Sequence, residues 1–232
     1  MGDCPRYAKR AERYNRLMTS ANPDPHGREP RDHDGPVYWE CATCGYLSHD
    51  PAFSDVARHC PACSSATGTR RTFPPDRLRR VDERIRRYHS DGESEVVVIL
   101  AATFLESLME DMLARIMASE GASVKLRAAV LDTLRSVGQR IGKLFPTLTG
   151  VQFEDAAAEA GLPEFPRRWR ALRSERNGFI HDATFEGARE ELGEASAKEA
   201  VALLDQAYRL FVRINNRFVA GVRHRREDDQ RP

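Results

Sequence analysis

Two groups of residues in this 232-residue chain have the types and spacing to do chemistry. The first is WECATCGY followed by HCPACSS, in which Cys41 and Cys44 precede Cys60 and Cys63 as two C-x-x-C pairs. Each pair offers two thiolates, and the loop between the pairs is long enough to fold back. Four sulfurs can therefore close a tetrahedral shell around one soft cation. Such a shell has no open position for water or substrate, so it serves structure or recognition and not catalysis. His49 and His59 flank the pairs and are read as loop residues, because four cysteines already complete the shell. Cys4 is left over without a role, and five clustered cysteines do not make a disulfide framework.

The second group is RNGFIH, residues 176–181. A forked, permanently charged guanidinium at Arg176 suits phosphate oxygens. The imidazole of His181 titrates near neutrality and can take or give a proton. Asn177 can orient the phosphate or the histidine. This set fits RNA cleavage by the substrate's own 2′-hydroxyl: a base removes that proton, an acid protonates the leaving 5′-oxygen, and positive charge stabilises the phosphorane. No metal is required. The spacing alone is weak, since it recurs at Arg28/His33 and Arg84/His89. The first of those lies in a Pro-rich stretch and in the second Ile85 follows the arginine, whereas Arg176 is followed by Asn177 and lies between two long helical segments.

These residues need elements to hold them. Residues 1–36 read as a short basic helix at 6–19 and a Pro-, Asp- and Gly-containing linker, 37–70 as the cysteine module, 76–222 as a helical domain and 223–232 as a charged tail. Within the helical part, DRLRRVDERIRRYH has one face nearly all arginine. Leu105, Leu108, Met109, Met112, Leu113 and Ile116 then recur at steps of three and four and define a buried stripe. Further helices are expected at 121–137, 151–160, 165–177 and 197–220, the last opened by Ser196 and Glu199 as a capping box. No alternating strand pattern follows residue 70, so the fold class is mainly α, an antiparallel bundle preceded by the small Cys4 module.

Gly178 is expected to end its helix at 177, because Asn-Gly is a turn signal. That break would turn Arg176 and His181 toward one cleft, whereas a continuous helix sets positions five apart about 140° from each other. Glu106 and Glu110, four apart on the early helix, either approach the motif and orient His181 or lie on a solvated face. In RRWRALRSER, Trp169 and Leu172 face inward. Arg167, Arg168, Arg170 and Arg173 are then left to line an RNA groove or to meet solvent.

The knuckles C-x-x-C-G-Y and C-P-x-C resemble zinc ribbons and rubredoxin-like modules. That resemblance implies a structural Zn2+, preferred to iron because no redox partner site is evident. Ser64 stands where a glycine is common in such knuckles. Over roughly residues 78–222, FLESLMEDMLARIM, then Arg176-Asn177-His181, then a long terminal helix resemble the HEPN family, which includes RNA-cleaving toxins and defence nucleases. The resemblance implies a metal-independent endoribonuclease with Arg176, Asn177 and His181 catalytic and with RNA as substrate. It further implies a homodimer whose two motifs share one cleft, and an antitoxin or regulatory partner. Some HEPN-like domains only bind nucleotides or RNA or serve assembly, which is the alternative.

Formal net charge is +1, and the longest apolar run, VVVILAA, is far short of a membrane span. With no targeting signal at either end, a soluble cytoplasmic protein is expected. Of 36 basic residues 32 are arginine, so arginine abundance alone is discounted as a sign of nucleic-acid binding.

Overall fold

β1 (Tyr38–Cys41) is the centre of a three-stranded antiparallel sheet of order β2-β1-β3, with β2 at Leu47–Ser48 and β3 at Arg70–Phe73. The computed structural model describes residues 37–55, 58–65, 70–181 and 192–220, without the side chains of Arg70 and His181. The helix, linker and Cys4 expected within 1–36, and the tail expected at 223–232, lie outside the described residues. The strand at 70–73 extends beyond the point where no further strand was expected. It is four residues long, too short to display an alternating pattern, and it pairs Phe73 with Tyr38 and Arg70 with Cys41.

The two-residue period of β1 gives the sheet two different faces. Tyr38 and Glu40 face the helices, while Trp39 and Cys41 face the cysteine cluster. Eight helices complete the described chain: α1 (Asp76–Ser90), α2 (Ser94–Ser119), α3 (Val124–Thr133), α4 (Val137–Gln139), α5 (Phe145–Thr149), α6 (Phe153–Glu159), α7 (Phe165–His181) and α8 (Glu194–Asn215). π-helical turns at Arg140–Leu144 and Asn216–Ala220 join α4 to α5 and continue α8. The molecule is mainly helical with one small sheet, and no helix among the described residues is long and apolar enough to cross a membrane.

α2 is apolar nearly all round, which marks a helix surrounded by others. Its expected stripe is buried in full, and α1, α7 and α8 pack against it. A cavity of about 20 Å³ remains between Leu105, Met109, Phe165 and Trp169, room for one water and too small for a substrate.

Three helix boundaries differ from expectation. The helix expected over 121–137 stops at Thr133, because Ser136 and Gln139 form a reciprocal capping box that starts α4. α8 begins at Glu194, so Ser196 and Glu199 lie inside it, and Glu199 instead grips Arg168 across to α7 at 2.6 Å. α7 runs through Gly178 to His181, and the expected break at 177 is absent. Packing of Phe179 against the core outweighs the local turn preference of Asn-Gly.

Side chains from three directions seat the sheet on the helices. Phe73 stacks on Phe211 with centroids 4.8 Å apart, and the Arg115 guanidinium lies 5.2 Å and 5.7 Å from the two rings. The same guanidinium donates to Glu40 of β1 at 3.0 Å and to Asp111 one turn back at 2.8 Å. At the end of α8, Asn216 receives the Leu47 N–H and donates to the Leu47 carbonyl, both at 2.8 Å, replacing the strand that β2 lacks on its outer edge. Asn215, fully buried, donates to the Gly45 carbonyl at 2.7 Å.

Candidate functional site

The two C-x-x-C pairs fold into near-equivalent knuckles. In each, the carbonyl of the first cysteine accepts from the residue four positions on: Gly45 N to Cys41 O and Ser64 N to Cys60 O, both 2.8 Å. The first cysteine's own N–H is bound further along, to Tyr46 and Ser65 respectively. This turn requires a left-handed residue just after the second cysteine, where Gly45 has φ +78° and Ser64 has φ +56°. Glycine adopts that conformation freely, while serine is strained in it. Ser64→Gly is therefore expected to stabilise the protein by about 0.5–1 kcal/mol, the relief of strain being partly offset by glycine's greater freedom when unfolded. Urea denaturation at fixed metal content measures this as a raised midpoint. A lowered midpoint would mean that the Ser64 side chain contributes more than its backbone strain costs.

The knuckles bring all four Sγ atoms within 4.8 Å of one another, with Cys44–Cys60 at 3.7 Å and Cys41–Cys63 at 3.9 Å. A tetrahedral centre with metal–sulfur bonds near 2.3 Å needs sulfurs about 3.8 Å apart. The cluster therefore fits a metal ion, and among the described residues no disulfide competes for these thiols. Burial drives the Cys44 and Cys60 thiols upward, and neighbouring thiols add to the effect at Cys44. Cys41 is buried as well, but amide N–H groups of Cys44 and Thr43 outweigh burial and bring its thiol down to about 7. Closing the shell must therefore displace protons from the Cys44 and Cys60 thiols, which a cation at the centre makes favourable. Around the sulfurs the apolar packing is thin: Phe53 and Ala220 are the other buried members, with Trp39 and Tyr46 at the rim.

The motif lies elsewhere, on the last turns of α7. Arg176 donates to Glu106 of α2 at 2.7 Å, and Arg173, one turn earlier, donates to the same Oε1 atom at 3.2 Å. Two guanidinium groups on one carboxylate leave a net positive charge. Arg176 Nε is buried and has no hydrogen-bond partner among the described residues. Asn177 is exposed beside it. The continuous helix sets the backbone position of His181 about 140° from Arg176 and about 40° from Asn177 around the axis.

Of the two acidic candidates, Glu106 reaches the motif through Arg176, and Glu110 does not. Glu110 pairs with buried Arg140, whose guanidinium also donates to the Leu134 and Leu131 carbonyls and ties the π-helical turn after α4 to the end of α3. The remaining α7 arginines are engaged too: Arg167 with Glu164 at 2.7 Å, Arg168 with Glu199, and Arg170 with Glu154 at 3.5 Å. Trp169 and Leu172 face inward as expected.

Sequence reasoning missed Arg115, Asn215 and Asn216. The asparagine pair carried a usable signal, since two consecutive poor helix formers within a long helical pattern suggest side chains in use. Arg115 carried none. No protein-family model matches the chain, and neither a curated protein nor a solved structure matches it.

Proposed function

We propose that this protein is a metal-independent endoribonuclease of HEPN type, with a Cys4 zinc ribbon as a structural and recognition module. The observation that carries the reading is the pair Arg173–Arg176 held on Glu106, with Asn177 exposed alongside. It is a preoriented positive site on the same helix as a histidine. Arg176 stabilises the phosphorane, His181 transfers a proton, and Asn177 orients the phosphate. The 2′-oxygen forms its bond to phosphorus as its proton leaves, and the 5′-oxygen departs with a proton, leaving a 2′,3′-cyclic phosphate and a 5′-hydroxyl. The roughly 140° between positions 176 and 181 on one helix favours a homodimer in which the catalytic set comes from two copies.

The cysteine geometry and ligand softness support zinc, which contributes folding energy and takes no part in cleavage. A nuclease of this kind acts in the cytoplasm as a toxin or antiphage effector and needs an antitoxin or regulatory partner to restrain it. Purified protein incubated with mixed RNAs in EDTA, with zinc content checked afterwards, is expected to leave cyclic phosphate ends. His181→Ala is expected to leave none.

A second reading rests on the same ion pairs. Because Glu106 already occupies Arg176, the arginine can be a strut between α2 and α7 in a non-catalytic RNA- or nucleotide-binding or assembly module. In that case His181→Ala leaves the biological effect intact.

A further inference from the structure

A row of arginines without carboxylate partners lies on α1. Every α7 arginine from Arg167 to Arg176 has a carboxylate partner. On α1, Leu78, Asp82 and Ile85 turn into the core. The acidic residues are taken up on one flank. Arg79 pairs with Asp76 and Glu83, and Arg86 bridges Asp82 at 3.1 Å and Asp205 of α8 at 2.6 Å. Opposite the core, Arg80, Arg84 and Arg87 stand exposed at steps of four and three, and among the described residues none has an ion pair. Tyr88, 37% exposed, lies four positions after Arg84 and so beside it. Arginine abundance explains the residue type. It does not explain why three stay unpaired in a row on one face while the others nearby are neutralised.

We infer that Arg80, Arg84 and Arg87, with Tyr88 at their edge, form a track that binds the sugar-phosphate backbone of single-stranded RNA. The inference deepens the nuclease reading and rests on it for RNA as the polyanion. Seven residues of helix span about 10 Å, and a stacked strand rises about 3.4 Å per nucleotide, so the track meets about three phosphates. Forked guanidiniums match phosphate oxygens, and an exposed phenol beside them offers a stacking surface for an unpaired base. An anionic membrane is the less suitable partner, because the face has no row of large apolar side chains to enter the acyl region.

The test is fluorescence anisotropy with a labelled 20-nucleotide 2′-O-methyl RNA, which cannot be cleaved by 2′-attack, so binding is read apart from catalysis. The triple variant Arg80→Gln, Arg84→Gln, Arg87→Gln is expected to bind at least tenfold more weakly. Its slope of log affinity against log salt is expected to be shallower by about two, since each phosphate contact in a single strand contributes about 0.7. Arg79→Gln and Arg135→Gln serve as single-charge controls, and circular dichroism verifies folding. Equal binding by the triple variant and the wild type would overturn the track. So would a wild type that binds phosphatidylserine vesicles and not RNA. Failure of the nuclease reading looks different: the wild type then binds the 2′-O-methyl strand through the track yet leaves ordinary RNA uncut.

Discussion

Cys44→Ser is expected to cost more than about 4 kcal/mol and to lower Tm by about 10 °C or more, with the loss extending from the knuckles into the end of α8. The size follows from how little else holds the knuckles. Among the described residues Phe53 is the one large buried side chain packed with Cys41, Cys44 and Cys60, so a bound ion takes the place of a core there. The reach follows from the hydrogen bonds beyond the sulfurs. Gly45, next to Cys44, accepts from Asn215, and Leu47 exchanges two bonds with Asn216. If the first knuckle opens, Asn215 is left buried with one amide N–H unpaired, and such a group costs about 1–3 kcal/mol.

Hydrogen exchange separates this from the simpler alternative. Loss of protection at 41–48 together with 212–220 is expected, in the variant and in wild type stripped by a strong chelator. Protection lost at 41–65 alone, with the bundle's Tm unchanged, would mean that the sheet is an independent appendage. The docking of Tyr38, Leu47 and Phe73 in the same core as the helices argues against that outcome.

What the sequence disclosed depended on whether a signal was local. The α2 stripe and the cysteine spacing were legible because helical periodicity and chelation are satisfied within a short segment. β3 was not legible, since four residues paired to a strand about thirty positions away leave no pattern of their own. Gly178 misled for the converse reason: a local turn preference of about 1 kcal/mol was real but smaller than the packing of Phe179 beyond it. At the motif, Glu106 was nameable as a candidate from its place on α2. That it binds Arg176 while Glu110 turns to Arg140 depends on how α2, α7 and the π-helical turn after α4 pack, which no window of sequence contains.

Arg176→Ala is expected to lower RNA cleavage by about 10²–10³-fold, the range for removing one group that stabilises charge in a transition state. Stability is expected to change little. Glu106 keeps Arg173 as a partner at 3.2 Å, so its carboxylate is not stranded, and both side chains remain partly exposed at 25%. A fall in activity per folded molecule with Tm shifted by only a few degrees identifies Arg176 as part of the reacting site. The opposite pattern, a large drop in Tm with any cleavage per folded molecule preserved, assigns it to the strut between α2 and α7. Arg176→Lys sharpens the distinction. An ammonium keeps the charge and can still meet Glu106, but it lacks the fork that holds a carboxylate and a phosphate oxygen at once. Rescue of stability without rescue of cleavage is therefore the expected result. It would show that cleavage depends on the forked guanidinium and not on the positive charge alone.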